Sequence, residues 1–138
     1  MSRLRATTLL LLLSLLSGCS DNDATVTKYD KSLSTLPCLS LVVFPPDALI
    51  QKSLANLYTF KEDCPYELQV SRKSGIVCNS NQNAQAKALS NFPHGFIRFD
   101  IYKERKPLYC YYKDLTSELQ KRDIEDGFNR LRSDFHLK

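Results

Sequence analysis

The chain has 138 residues, with 19 basic and 15 acidic side chains, a net charge of +4 and 43% hydrophobic residues. That length suits a single domain, and the charge is too small to supply the clustered basic face that nucleic-acid binding needs. With only four glycines, the chain has no Gly-rich phosphate loop.

The first element is a leader. Met1–Arg5 carries Arg3 and Arg5 and no acid, and Ala6–Leu16 is almost all Leu, broken only by Thr7, Thr8 and Ser14. As a helix this run spans ~16 Å, short of the about 20 residues a membrane span requires. It suits the apolar region of a secretory signal, about 7–15 residues long. Leu16-Ser17-Gly18-Cys19 then closes the run.

These four residues resemble the lipobox of bacterial prolipoproteins, a likeness confined to residues 1 to about 20. It implies cleavage before Cys19, so that residues 1–18 are a lipoprotein signal peptide. It also implies a diacylglycerylated Cys19 thiol and a further acyl chain, such as palmitate, on the new amino terminus. Several acyl chains anchor stably where one binds only marginally. Ser20 rather than Asp follows the cysteine. By resemblance to enterobacterial lipoproteins, this implies the outer membrane, facing the periplasm. Loss of Arg3 and Arg5 with the leader leaves only a small positive excess.

Residues 19–37 are expected to be the lipidated cysteine and a flexible tether, because Ser20–Leu36 is polar and shows no apolar periodicity. One α+β domain is expected over residues 38–138. Cys38–Phe44 is a continuous apolar run ended by Pro45-Pro46, the pattern of a buried strand. From Asp47, apolar residues at Ile50, Leu54, Leu57 and Phe60 predict a helix. Tyr66, Leu68 and Val70 alternate with polar residues as a half-buried strand, and Arg72–Gly75 signals a turn. Ile76–Cys78 predicts a short strand and Asn81–Leu89 a short helix, capped by Ser80 and stopped at Pro93.

The stretch from Gly95 to Lys113 alternates on both sides of Glu104-Arg105 and predicts a hairpin. With that two-residue loop, Ile101 faces Leu108, Phe99 faces Cys110 and Ile97 faces Tyr112 on an apolar inner side. Glu-Arg is poor two-residue turn chemistry, so a longer loop with a shifted register is the alternative. The last helix begins at a Ser117–Gln120 capping box or later, with Asp123 as cap. It carries Ile124, Phe128, Leu131 and Phe135 on one face. The class is therefore α+β, a two-layer sandwich with a mostly antiparallel sheet and the order β-α-β-β-α-β-β-α. Its last helix–strand–strand–helix resembles the second half of a thioredoxin fold, and a thioredoxin-like scaffold without C-x-x-C is the alternative.

Beyond Cys19 there are four cysteines, and in an oxidising compartment they are expected to form two disulfides. A strand running out from Cys38 and a helix of similar length running back return Cys64 to its start. The expected bonds are accordingly Cys38–Cys64 and Cys78–Cys110.

No group stands out as catalytic. His94 lies between Pro93 and Gly95 and His136 near the end, both expected in solvent with no nucleophile motif beside them. Asp123, Glu125 and Asp126 suit the N-terminal dipole of the last helix, and Lys103–Lys106 is a charged hairpin tip. No catalytic residue, metal site or cofactor is expected.

The surface singled out is the outer side of the hairpin, where Arg98, Tyr102, Tyr109 and Tyr111 give the aromatic-plus-Arg mixture of binding hot spots. Cover by a helix is the competing reading of that side. The function expected is a non-catalytic accessory or assembly subunit, held in the outer membrane by its lipid and binding another envelope protein. The alternative is a small-ligand binder or an inhibitor of a secreted enzyme, working through the tyrosine face.

Overall fold

The computed structural model describes residues 24–75 and 93–138. These form one mixed five-stranded sheet and two helices. In chain order they are β1 (Ala24–Lys28), β2 (Ser40–Val43), α1 (Ala48–Leu57), β3 (Tyr66–Lys73), β4 (Gly95–Lys103), β5 (Lys106–Leu115) and α2 (Lys121–Phe135). Across the sheet the order is β1-β5-β4-β3-β2. β2 and β3 run parallel through the α1 crossover, and the other neighbours are antiparallel. The α+β class expected from the sequence holds. The predicted strand 76–78 and helix 81–89 lie outside the described residues.

Each helix starts where its cap dictates. Asp47 accepts a hydrogen bond from the Ile50 N–H (3.1 Å) and pairs with Arg72 Nε on β3 at 2.6 Å, which ties the head of α1 to the sheet. α2 begins a turn after Ser117. Gln120 is its N-cap, and Asp123 accepts from the Gln120 N–H at 2.9 Å in a capping box. The other Asp123 oxygen accepts from Lys113 Nζ at 2.9 Å, which fastens α2 to β5.

Both helices cover the same side of the sheet. Ile50 and Leu54 of α1, Ile124, Phe128 and Leu131 of α2, and Leu68, Val70, Ile97, Phe99 and Ile101 of the strands are fully buried in one core. The helical periodicity read from the sequence is thus the packing face. Gly127, which costs about 1 kcal/mol against Ala within a helix, stands against the Phe99 ring. A Cβ there would lie 2.5 Å from Phe99 Cε2, so the missing side chain lets α2 approach β4.

Cys38 and Cys64 precede the two parallel strands β2 and β3, whose starts are neighbours. They form a disulfide with a Cα separation of 5.9 Å, as the length argument required. Cys78 lies outside the described residues, and Cys110 has no disulfide partner among the described ones.

Two sequence expectations are corrected here. Part of the stretch expected as a tether is structured instead, because Ala24–Lys28 is an edge strand on β5 and Leu36 is buried in the core. Scattered apolar residues read as disorder, yet an edge strand needs only one apolar face. Ala24 and Val26, set among the β-branched Thr25 and Thr27, provide it. Likewise β2 is not a buried strand. It is the opposite edge of the sheet, with Val42 exposed.

Candidate functional site on the side of the sheet opposite the described helices

The hairpin decides which side chains each side of the sheet presents. Its turn is the two-residue Glu104-Arg105, with φ of 50° and 66°, the left-handed pair of a type I′ turn that neither residue favours. Lys103 pairs with Lys106 and Tyr102 with Pro107, but Ile101 then pairs with Tyr109. Leu108 is the extra residue of a β-bulge, and beyond it every β5 side chain changes sides.

The expected register therefore fails by one residue. Phe99 faces Tyr111 and Asp100 faces Cys110. Tyr109 and Tyr111, expected on the outer side, are 0% and 1% exposed beneath α2. Cys110 and Tyr112, expected inside, lie on the outer side with Arg98 and Tyr102. The proposed face of Arg98, Tyr102, Tyr109 and Tyr111 is split between the two sides of the sheet. The unfavourable Glu-Arg turn was the signal that register needed caution, although the turn itself forms as written and the shift comes from the bulge.

The two buried tyrosines differ in their hydroxyls. Tyr109 OH donates to Asp134 Oδ2 at 2.9 Å, its ring meets Phe135 edge-on at 5.1 Å, and burial raises its pKa strongly, helped by the Asp134 bond. Tyr111 meets Phe99 edge-on at 5.6 Å, and its hydroxyl is buried with no hydrogen-bond partner among the described residues. Burial first, and the Asp126 and Asp123 charges second, push it up to about 12.

The outer side carries Phe96, Arg98, Asp100 and Tyr102 on β4 beside Cys110, Tyr112 and Asp114 on β5. No described helix lies over it. Arg98 Nε sits 2.7 Å from Asp100 Oδ2, an ion pair without the alignment of a hydrogen bond. As a thiol, Cys110 is pushed up to about 11, by burial first and then by the Asp100 charge, with Arg98 opposing. A thiol at that value is protonated near neutrality and is a poor nucleophile. Burial also raises Tyr102, with Asp100 adding to it. Tyr112 stacks obliquely on Phe96 at 5.3 Å and donates to Asp114 at 2.8 Å.

At the hairpin end this side opens into a cleft of about 500 Å³ lined by Ser40, Glu62, Cys64, Pro65, Glu67, Gln69, Tyr102, Glu104 and Arg105. Sequence reasoning missed it, because it joins β2, the disulfide loop, β3 and the turn. His94 and His136 are both exposed, as read from the sequence. Among the described residues no group of His, Cys, Asp or Glu could hold a metal ion, and no helix is long and apolar enough to cross a membrane. No family model, curated protein or solved structure matches the chain.

Proposed function

We propose that the chain is a lipid-anchored envelope protein, held through Cys19 in the outer membrane and facing the periplasm, that binds another envelope protein as a non-catalytic accessory subunit. The observation that carries this reading is the one-sided sheet. Both described helices pack on one side, while the other presents Arg98, Tyr102 and Tyr112 next to the cleft. Aromatic residues and Arg are enriched in protein–protein contacts. The leader ending at Leu16-Ser17-Gly18-Cys19 supports the anchoring.

The ligand-binding alternative moves from the buried tyrosines to the cleft. Its volume is within the usual range for small ligands, but those sites are mostly apolar. Glu62, Glu67, Glu104 and Arg105 line this one, which favours a protein contact. The scaffold that accompanies the proposal keeps the order β-α-β-β-α-β-β-α from Cys38 onward. It requires the strand 76–78 and the helix 81–89, and that helix is also what the thioredoxin-like alternative needs.

Crosslinking of the full-length protein in its native membranes tests the function. One stoichiometric envelope partner is expected, lost with Tyr102→Ala and Arg105→Glu and kept with Lys52→Glu on the helical side. Recovery of the protein alone, or a partner indifferent to Tyr102 and Arg105, refutes the reading. Cys19→Ser is expected to release the protein from the outer-membrane fraction.

A further inference from the structure

Three of the four large apolar side chains that stand exposed among the described residues lie within eight positions of one another. They are Val42 at 41%, Phe44 at 72% and Leu49 at 42% exposure; the fourth, Tyr29, sits at the opposite end of the sheet. Pro45 and Pro46, between Phe44 and α1, are exposed too. Phe44 is held in place, its N–H bonded to the Val70 carbonyl at 3.0 Å. The result is an apolar tip where β2 turns into α1.

The register shows what shares that end of the sheet. Val43 pairs with Val70 in parallel, Lys73 lies opposite Phe96, Gly95 opposite Leu115 and Ala24 opposite Lys113. The head of β1 and the apolar tip are therefore at the same end, on opposite edges. Four strand spacings separate them, ~19 Å. Ala24 is five residues after Cys19, and five residues reach at most ~17 Å when fully extended. A lipid on Cys19 would keep this end of the domain against the bilayer.

We propose that Phe44, Pro45, Pro46 and Leu49 lie in the surface of the membrane that holds Cys19, which gives the domain a second contact and a fixed orientation. This rests on the lipid-anchored reading above. A single flexible attachment lets a domain swivel. A second apolar contact ~19 Å away pins it, with the hairpin tip, the disulfide and the cleft pointing away from the lipid. The spacing favours lipid over protein as the occupant. A helix is about 10 Å thick, so a partner slipped beneath the tip would take up more than half of the ~17 Å that the five residues can span. The contact is apolar more than electrostatic, because the exposed Lys73, Lys121 and Arg122 at this end are offset by Asp114 and Glu118 to within one charge.

The chain contains no tryptophan, so Phe44→Trp and Asp63→Trp each install a single reporter, one at each end of the sheet. The full-length variants, isolated from bacterial membranes and placed in phosphatidylcholine vesicles, are compared with and without acyl-brominated lipid. The Trp at position 44 is expected to emit at shorter wavelength and to lose intensity with bromine. The Trp at 63 should do neither, and anionic lipid should change neither result. Emission of the Trp at 44 as in water, or a blue shift without bromine quenching, overturns the inference, the latter by showing a protein cover. The mass of the N-terminal peptide separates the two claims. An acylated Cys19 with a water-exposed Trp at 44 overturns this inference alone, while an unacylated Cys19 overturns the anchored reading and this inference with it.

Discussion

Tyr109→Phe and Tyr111→Phe remove the same oxygen from strand positions two residues apart, and the structure gives them different outcomes. Tyr109 loses a 2.9 Å bond to Asp134, a carboxylate that also accepts from Arg130 Nε at 3.1 Å. A hydrogen bond to a charged group contributes about 1.5–3 kcal/mol. Asp134 is partly open to water and keeps Arg130, so the lower end applies, about 1.5 kcal/mol of destabilisation. Tyr111 loses no such bond, because its hydroxyl is buried without a partner among the described residues. Removing an unpaired buried hydroxyl returns part of a desolvation cost of about 1–3 kcal/mol, so Tyr111→Phe should leave stability unchanged or raise it by about 1 kcal/mol. Urea unfolding followed by far-UV circular dichroism measures both midpoints, and the slope checks that the transition stays two-state. Were the bulge absent, both rings would face outward and both changes would fall within about 0.5 kcal/mol of zero. Two near-zero values would therefore refute the register and the burial of these tyrosines together.

Gly127→Ala should destabilise by about 1 kcal/mol or more despite the better helix propensity, since Phe99 is fully buried and Tyr111 blocks its retreat; a stabilised variant in the same assay would contradict the close approach. Asn-Gly in place of Glu104-Arg105 should stabilise the fold by about 1–2 kcal/mol, because both residues carry left-handed strain, and an unchanged urea midpoint would count against the type I′ turn. Reducing Cys38–Cys64, which spans 26 positions, should cost about 3.5 kcal/mol on the chain-entropy model, readable as a fall in melting temperature with reductant that Cys38→Ser reproduces. Stability should also fall in alkali. The folded Tyr111 holds its proton more tightly than the unfolded one, so its contribution is complete below pH 10 and drains away between 10 and about 12. The loss is about 2–3 kcal/mol, and phenolate absorbance should rise together with unfolding. Ionisation of every tyrosine with a midpoint near pH 10 while the fold stays intact would disprove it.

Local chemistry determined a good deal of this protein from sequence alone. Asp47 starts α1 because a short carboxylate can bond the N–H three residues on. Ile124, Phe128, Leu131 and Phe135 face the core because their spacing leaves them no other face. Cys38 and Cys64 meet because a strand and a helix of matched length bring the chain back. All of these depend on neighbours within a few residues, or on a distance that chain geometry sets.

Tertiary structure decided the rest. Ala24–Lys28 carries too little apolar surface to order itself and becomes a strand only because β5 offers an open edge. The cleft exists only where β2, the disulfide loop, β3 and the turn converge. Above all, one bulged residue, Leu108, turns Tyr109 and Tyr111 inward and Cys110 and Tyr112 outward. Side chains alternate with a period of two, so an added residue exchanges the faces without altering the alternation that a sequence displays. Pairing across strands, and not the order of residues along one, determines which side chains each side of this sheet presents.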